Sequence, residues 1–369
     1  MATPQTPAQN VKQNRRERVR GFWQRVTEGL QLNELWGQFK SEAREGYGLY
    51  SKDVDWETIG REKSKFKRIL RSGWALFQAM LMKLSPARRV LLLVAVVLFL
   101  FNPQVRMSNG TEFSLGLAWI ATVILFVLLA LELGDRVTMK RDLEIAREIQ
   151  QWLVPSEPPQ VPGVDIAFAT RPQNTVAGDY YDAFLRPTPD AASQRPSLLI
   201  VVADVAGKSV PAALLMATFQ SGLRALSSTP ASLDEIVTGL DRYARAHSLE
   251  GRRFTTAFLA ELDPGTRVMR YVNAGHNYPI LRRVSGQIER LITGGPPFGV
   301  PLLTDTEISY ASGSVQLEPG DLLFIFTDGV AEAVNEKGEE FGEARIVPAI
   351  ASLPTGTAAE ILQRVMGDV

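Results

Sequence analysis

Apolar residues follow three successive patterns along this chain: helical, then unbroken, then alternating. In the first, Phe22, Val26 and Leu30, then Leu35, Trp36 and Phe39, recur every three or four residues. That spacing predicts an amphipathic helix, packed on protein or lying in a membrane surface. The second pattern is a run of 12 apolar residues from Val90 to Phe101 and another of 17 from Leu115 to Leu131. As a helix the first run is roughly 18 Å long against a hydrocarbon layer of about 30 Å. It spans only if the helix starts near Leu84 and Arg88 and Arg89 snorkel to the interface. Pro103 and Asn109-Gly110 supply a turn between the two runs. Lys and Arg crowd the outer flanks, over 61–89 and at Arg136, Lys140 and Arg141, while the loop holds Arg106 balanced by Glu112. The positive-inside rule then predicts a transmembrane hairpin with both ends in the cytoplasm, the alternative being two core helices of a soluble domain.

Beyond the hairpin, Met139, Leu143, Ala146 and Leu153 keep heptad-like spacing with Gln150 in the seam, beside a stripe of Ile145, Ile149 and Trp152. This predicts a linker helix, pairing with a second copy or packing on the next domain. It ends at Pro155, before the proline-rich Ser156 to Gly163. The alternating pattern follows. Strands are predicted at Val164 to Thr170, Tyr180 to Arg186, Ser197 to Ala203, Phe254 to Leu262, Arg267 to Asn273 and Asp321 to Phe326. Asp263-Pro264-Gly265 makes a hairpin turn. Helices are predicted at Ser209 to Leu226, with Ser209 as cap, at Leu233 to Ala246 and at Ala358 to Met366. Strands joined by turns with helices between them give an α+β fold of antiparallel layers.

Composition narrows the chemistry. Forty basic and forty acidic residues leave no net field for nucleic acid. With no Cys, and His247 and His276 the only imidazoles, thiol nucleophiles, disulfide scaffolds and multi-His metal sites are excluded. Carboxylates remain. Asp179 in Gly178-Asp179-Tyr180-Tyr181-Asp182, Asp204 in Val201-Val202-Ala203-Asp204-Val205-Ala206-Gly207-Lys208 and Asp328 in Phe326-Thr327-Asp328-Gly329-Val330 each adjoin a strand end and a small residue. Three such groups are the candidate ligands of hard divalent ions that would activate a water toward a phosphate ester. Each alone would be an ordinary turn former or helix cap. Lys208 is a candidate contact for a substrate phosphate or a solvated lysine at a loop–helix junction. His276 is a candidate proton donor or a residue of its turn. Asp182 either supports the site or is edge polarity. A phospho-accepting receiver domain is disfavoured, because the hairpin at Asp263 does not fit its parallel order.

These words, with Pro211-Ala212-Ala213-Leu214-Leu215-Met216, Asn273-Ala274-Gly275-His276-Asn277 and Pro319-Gly320-Asp321, resemble the SpoIIE-type serine/threonine phosphatases of the protein phosphatase 2C-like superfamily over about 143–369. The resemblance implies an α-β-β-α sandwich with a two-metal Mn²⁺ or Mg²⁺ site at one edge between the sheets. Asp179, Asp204 and Asp328 would be ligands, and the Val205 carbonyl would add an oxygen. The implied substrate is a phosphorylated regulatory protein of the anti-sigma-factor antagonist type, in a partner-switching circuit. The family pattern has Gly where Ala177 and Ser209 stand, and closes on an Asp-Asp pair that the sequence up to Gly367-Asp368-Val369 does not show. That departure leaves two readings, an active enzyme whose last ligand lies further on, or a pseudophosphatase scaffold. The expected organisation is a helical, partly disordered cytoplasmic region (1–83), a membrane hairpin (84–133), a linker helix (134–155) and a phosphatase domain (156–369), on the cytoplasmic membrane of a bacterium with its N-terminus and phosphatase domain in the cytoplasm.

Overall fold

A computed structural model describes residues 64–101, 104–106, 112–114, 117–171, 175–188, 195–207, 209–247, 253–301, 308–335, 338–352 and 356–368. The helix expected over Phe22 to Phe39, the Asn109-Gly110 turn and Lys208 lie outside the described residues. The chain divides into two compact units, Met1–Asp135 and Arg136–Val369.

In the first unit, helix α1 (Lys65–Lys83) is followed by α2 (Pro86–Leu100), which Ser85 and Pro86 start two residues later than the expected Leu84. At 15 residues α2 is about 22 Å long, short of the hydrocarbon layer. Two short antiparallel strands, β1 (Gln104–Arg106) and β2 (Glu112–Ser114), lead into α3 (Leu117–Leu153). Arg88 Nη1 ties the start of α2 to α3 through Asp135 at 2.6 Å and Glu132 at 3.4 Å. Helix α3 runs unbroken for 37 residues, through both the second apolar run and the heptad-like segment. It alone among the described helices is long and apolar enough to cross a membrane.

The second unit is a sandwich. Strands β3 (Tyr180–Arg186), β4 (Ser197–Val205), β5 (Thr255–Leu262), β6 (Val268–Ala274), β9 (Gly294–Gly295) and β10 (Gly313–Gln316) form one sheet in the order β10-β6-β5-β4-β3, with β9 paired to β6. Strands β7 (Ile280–Arg282), β8 (Ile288–Arg290) and β11 (Leu322–Phe324) form another, in the order β11-β7-β8. All pairings are antiparallel except the short β6–β9 contact.

Period-two alternation assigns the faces. From β4, Leu199, Val201, Ala203 and Val205 pack against Met216, Phe219 and Leu223 of α4 (Ser209–Ser227) and Leu233, Ile236 and Leu240 of α5 (Leu233–Ala246). The intervening Leu198 and Ile200 join Phe258, Ala260 and Met269 against Leu281, Leu291 and Leu323 of the second sheet. Ile280 of that sheet meets Ile346 and Ile350 of α7 (Glu343–Ser352) and Val365 of α8 (Ala358–Asp368). The expected α-β-β-α layering is the observed one. Helix α5 begins with a reciprocal cap, Ser232 Oγ accepting from Glu235 N while the Glu235 carboxylate accepts from Ser232 N.

One predicted strand does not form. Val164 to Thr170 is irregular apart from a Val161–Val164 bridge. Its alternating Val164, Ile166 and Phe168 do pack on the inter-sheet core, but their backbone finds no ladder beyond β3, where the sheet ends. Alternation reports burial of one face and not pairing. The short strands β7 to β10 and helix α7 carry too few periodic positions to stand out in the sequence.

Asp182 points from β3 to the helix layer, where its buried carboxylate takes two hydrogen bonds from Arg224 of α4, each 2.9 Å, and one from the Tyr180 hydroxyl. The guanidinium also sits 3.8 Å above the Phe184 ring. Asp182→Ala should lower stability by about 2–3 kcal/mol, below the cost of breaking a fully buried pair because Arg224 keeps access to water. A thermal melt unchanged by the substitution would show that this pair does not hold α4 to the sheet.

Candidate functional site

Strand parity and register together bring two of the predicted carboxylates face to face. Asp204 shares the inter-sheet side of β4 with Leu198 and Ile200. The β3–β4 ladder pairs Tyr180 with Ala203, so one step further Asp179 lies across from Asp204. Their carboxyl groups hydrogen-bond each other. Thr327 Oγ1 donates to Asp179 Oδ2 at 3.2 Å. Gly178 packs against the same spot: a Cβ there would lie 2.8 Å from the Val205 carbonyl oxygen, 3.3 Å from Ala212 Cβ and 3.5 Å from Asp204 Oδ1. A side chain at 178 would fill the space between those oxygens.

Asp328 opens the short helix α6 (Asp328–Ala331) just past β11, and its charge acts on both of the other carboxylates. Among the described residues, however, no three His, Cys, Asp or Glu side chains are gathered closely enough to enclose a metal ion. The arrangement is a contacting pair with a third carboxylate in its field.

The electrostatics follow from burial. Desolvation raises the Asp179 pKa, opposed by its hydrogen bonds from Thr327 and Asp204, with the Asp328 charge adding to the rise. Burial also pushes Asp204 up to about 7, helped by the charges of Asp179, Asp328 and Glu332. The pair therefore shares a proton held on Asp204. Among the described residues, the charges that act on Asp204 are those of Asp179, Asp328 and Glu332, all negative. Half-buried hard oxygens under negative potential, beside a glycine cradle and the Val205 carbonyl, fit a divalent cation such as Mg²⁺ or Mn²⁺.

Around the pair stand residues with no motif of their own. Thr256, opposite Asp204 on β5, places its Oγ1 3.4 Å from the Asp204 carbonyl and 3.1 Å from His276 Nδ1. The His276 amide donates to Asn273 Oδ1 at 2.7 Å, and Gly275 before it adopts φ +67° against Pro297. His276 is buried, which depresses its pKa to about 4 against the pull of the Phe326 carbonyl, so the ring is neutral near pH 7. The structure thus places it in its turn, away from solvent. Ser209 adopts φ +62°, the left-handed region that favours glycine, and so does not cap α4 through the extended backbone expected of it.

Gln150, near the end of α3, grips the loop that leads into the site. Its Nε2 donates to the Ala177 carbonyl at 2.6 Å, and its Oε1 accepts from the Ala177 amide at 3.1 Å. Both backbone groups of the residue two before Asp179 are thereby satisfied by one side chain. Heptad spacing had placed Gln150 in an apolar seam; only the tertiary contact reveals this pairing. Gln150→Ala should cost about 1–2 kcal/mol of stability and weaken Mn²⁺ binding, whereas Gln150→Glu, which cannot donate to the carbonyl, should recover little of either. Mn²⁺ affinity unchanged in both variants, read by isothermal titration, would disconnect this contact from the site.

Comparison with known proteins agrees with this geometry. The family described as Stage II sporulation protein E (SpoIIE) matches residues 194–369. Protein IcfG of Synechocystis sp. is 28% identical over 246 residues, 60% of this chain and 37% of IcfG. Phosphoserine phosphatase RsbU of Bacillus subtilis is 28% identical over 205 residues, 56% of this chain and 58% of RsbU. The chain thus spans less than two thirds of either relative. The SiaA-PP2C domain of Pseudomonas aeruginosa superposes with a TM-score of 0.49 at 19% identity, over 63% of this chain and 89% of that one, too loosely to bear on the chemistry. Residues 194–369 thus match the SpoIIE family, and the chain is similar to the phosphoserine phosphatase RsbU.

Proposed function

We propose that this protein is a membrane-tethered, Mn²⁺- or Mg²⁺-dependent phosphoserine/phosphothreonine protein phosphatase. The observation that carries the reading is the half-buried Asp179–Asp204 pair, set face to face across the β3–β4 register under negative potential. Such a pair is unfavourable on its own and suits a cation. Asp179, Asp204, the Val205 carbonyl and Asp328 would hold the metal. A divalent ion there supplies Lewis-acid charge for the phosphoryl oxygens and acidifies water. Thr327 orients Asp179 through its hydroxyl, and Thr256 steadies the backbone that carries Asp204. Gly178 keeps the approach open.

The RsbU resemblance supports a phosphorylated regulatory protein as substrate, of the anti-sigma-factor antagonist type. The apolar stretch of α3 supports attachment to a bacterial cytoplasmic membrane, with the phosphatase domain in the cytoplasm. Exposed Met139, Ile145, Ile149 and Trp152 give the later part of α3 an apolar stripe that a second copy would cover. The alternative reading, a scaffold that binds its partner without hydrolysis, is favoured by one observation: the three carboxylates are not gathered into a closed ligand set.

Phosphate release from a phosphoserine protein should require Mn²⁺ or Mg²⁺ and fall by at least about 10³-fold in Asp204→Asn, the usual scale for losing a charge central to transition-state stabilisation. Metal binding without turnover would favour the scaffold. A second expectation concerns pH. In the metal-free protein Asp204 keeps its proton up to about 7, whereas the unfolded chain loses it near the ordinary Asp value. Folding therefore binds a proton in that window, and the contribution of Asp204 to stability falls as pH rises through it. His276 works in the opposite direction, since its pKa of about 4 makes the folded state lose stability as pH drops below the ordinary His value. Comparing melts with Asp204→Asn isolates the carboxyl: the variant should gain on the wild type as pH rises and level off above about 7. A pH-independent difference would mean the shared proton is absent.

A further inference from the structure

We propose that α1 is an interfacial helix that lies in the plane of the membrane surface and binds anionic lipid headgroups. The proposal rests on the membrane attachment argued above and adds to it a second, lipid-selective contact.

The helix is cleanly divided. At 100° per residue, Phe66, Ile69, Leu70, Trp74, Phe77 and Met80 fall on one side, with Lys65, Lys67, Arg68, Arg71 and Lys83 on the other. The sequence of α1 contains five basic residues and neither Asp nor Glu. Among the described residues the first turns of its apolar side stand exposed: Phe66 is 76% exposed, Ile69 71%, and Leu70 and Trp74 66% each. Exposed side chains of this size on one continuous face mark a surface made to be covered. The helix does not qualify as a membrane span, because Lys65, Lys67, Arg68 and Arg71 crowd its first two turns.

Two observations select a membrane over a protein as the cover. The first is charge. Five basic residues set opposite the exposed apolar face, with no acidic residue in the helix, complement anionic headgroups above acyl chains, and the Trp74 and Phe77 rings, 5.8 Å apart, suit that boundary. The second is the corner that joins α1 to the apolar α2. Arg89 reaches back across the break, with Nε donating to the Leu84 carbonyl at 2.7 Å, Nη2 to the Met82 carbonyl and Nη1 against Met82 Sδ at 3.6 Å. One guanidinium thus satisfies carbonyls at the C-terminal end of α1 and fastens the elbow, so that α1 adjoins the apolar segment by a defined joint.

The absence of cysteine makes the test direct, because a single introduced thiol carries the only label. Full-length protein bearing Ile69→Cys, Gln78→Cys or Leu125→Cys, each coupled to a nitrobenzoxadiazole dye, is reconstituted into phosphatidylcholine nanodiscs with or without phosphatidylglycerol. Reduction by aqueous dithionite is then timed. With phosphatidylglycerol, the Ile69 label should be reduced at least about fivefold more slowly than the Gln78 label, and the difference should shrink in high salt or without the anionic lipid. The triple variant Lys67→Gln/Arg68→Gln/Arg71→Gln should lose the lipid dependence while its Leu125 label stays shielded. Equal reduction at Ile69 and Gln78 overturns the proposal. Shielding at Ile69 that ignores lipid charge, salt and the triple variant also overturns it, and identifies a protein cover. Rapid reduction at Leu125 overturns the membrane attachment itself, and the interfacial helix with it.

Discussion

The antiparallel register between β3 and β4 is the constraint on which the site depends. Pairing Tyr180 with Ala203 sets Asp179 across from Asp204, and continuing the same ladder to β5 sets Thr256 beside Asp204. Because side chains alternate with a period of two, a slip of one residue would send Asp204 to the helix layer and one of its buried apolar neighbours into the inter-sheet cleft. The apolar residues of β4 on both faces therefore hold the register, and the carboxylates are carried along by it. The Asp182–Arg224 pair locks the neighbouring strand to α4 from the opposite face.

What this register builds is electrostatically expensive. Two carboxylates in contact, largely removed from water and surrounded by further negative charge, cannot both ionise without a compensating cation. The sandwich supplies the free energy to hold them there through its two large cores, one between the sheets and one beneath α4 and α5. Local conflict of this kind is expected at functional sites. Gln150, clasping Ala177 from α3, connects the loop that carries Asp179 to a helix outside the sandwich, so the position of that loop depends on more than the sheet.

The first unit presents a different kind of surface. Its helices expose Phe66, Trp74, Phe99, Trp119 and Phe126, an arrangement that water would penalise and that lipid would not. Polar contacts among its described residues include Arg89 at the α1–α2 corner and Arg88 against Glu132 and Asp135.

Much of this was legible from residues alone, and the limits have a common cause. Tyr180 to Arg186 and Leu233 to Ala246 formed with the predicted bounds, because an uninterrupted alternation or a capped amphipathic turn is a local signal backed by burial. The layering could be anticipated from strand pairs separated by helices, and the placing of Asp204 at a strand end from its small-residue surroundings. The irregular course of Val164 to Thr170 could not, since a strand needs a partner and partners are not local. Nor could Thr256, whose only credential is its register opposite Asp204, or the buried neutrality of His276, or the positive φ of Ser209. The sequence by itself determined which segments bury which faces and which residues could bear the chemistry, because periodicity and residue type are written along the chain. Only the tertiary structure decided that Asp179 and Asp204 share a proton, that Asp328 stands off from them and that Gln150 holds the adjoining loop, because distances between strands and helices are set by packing across the fold.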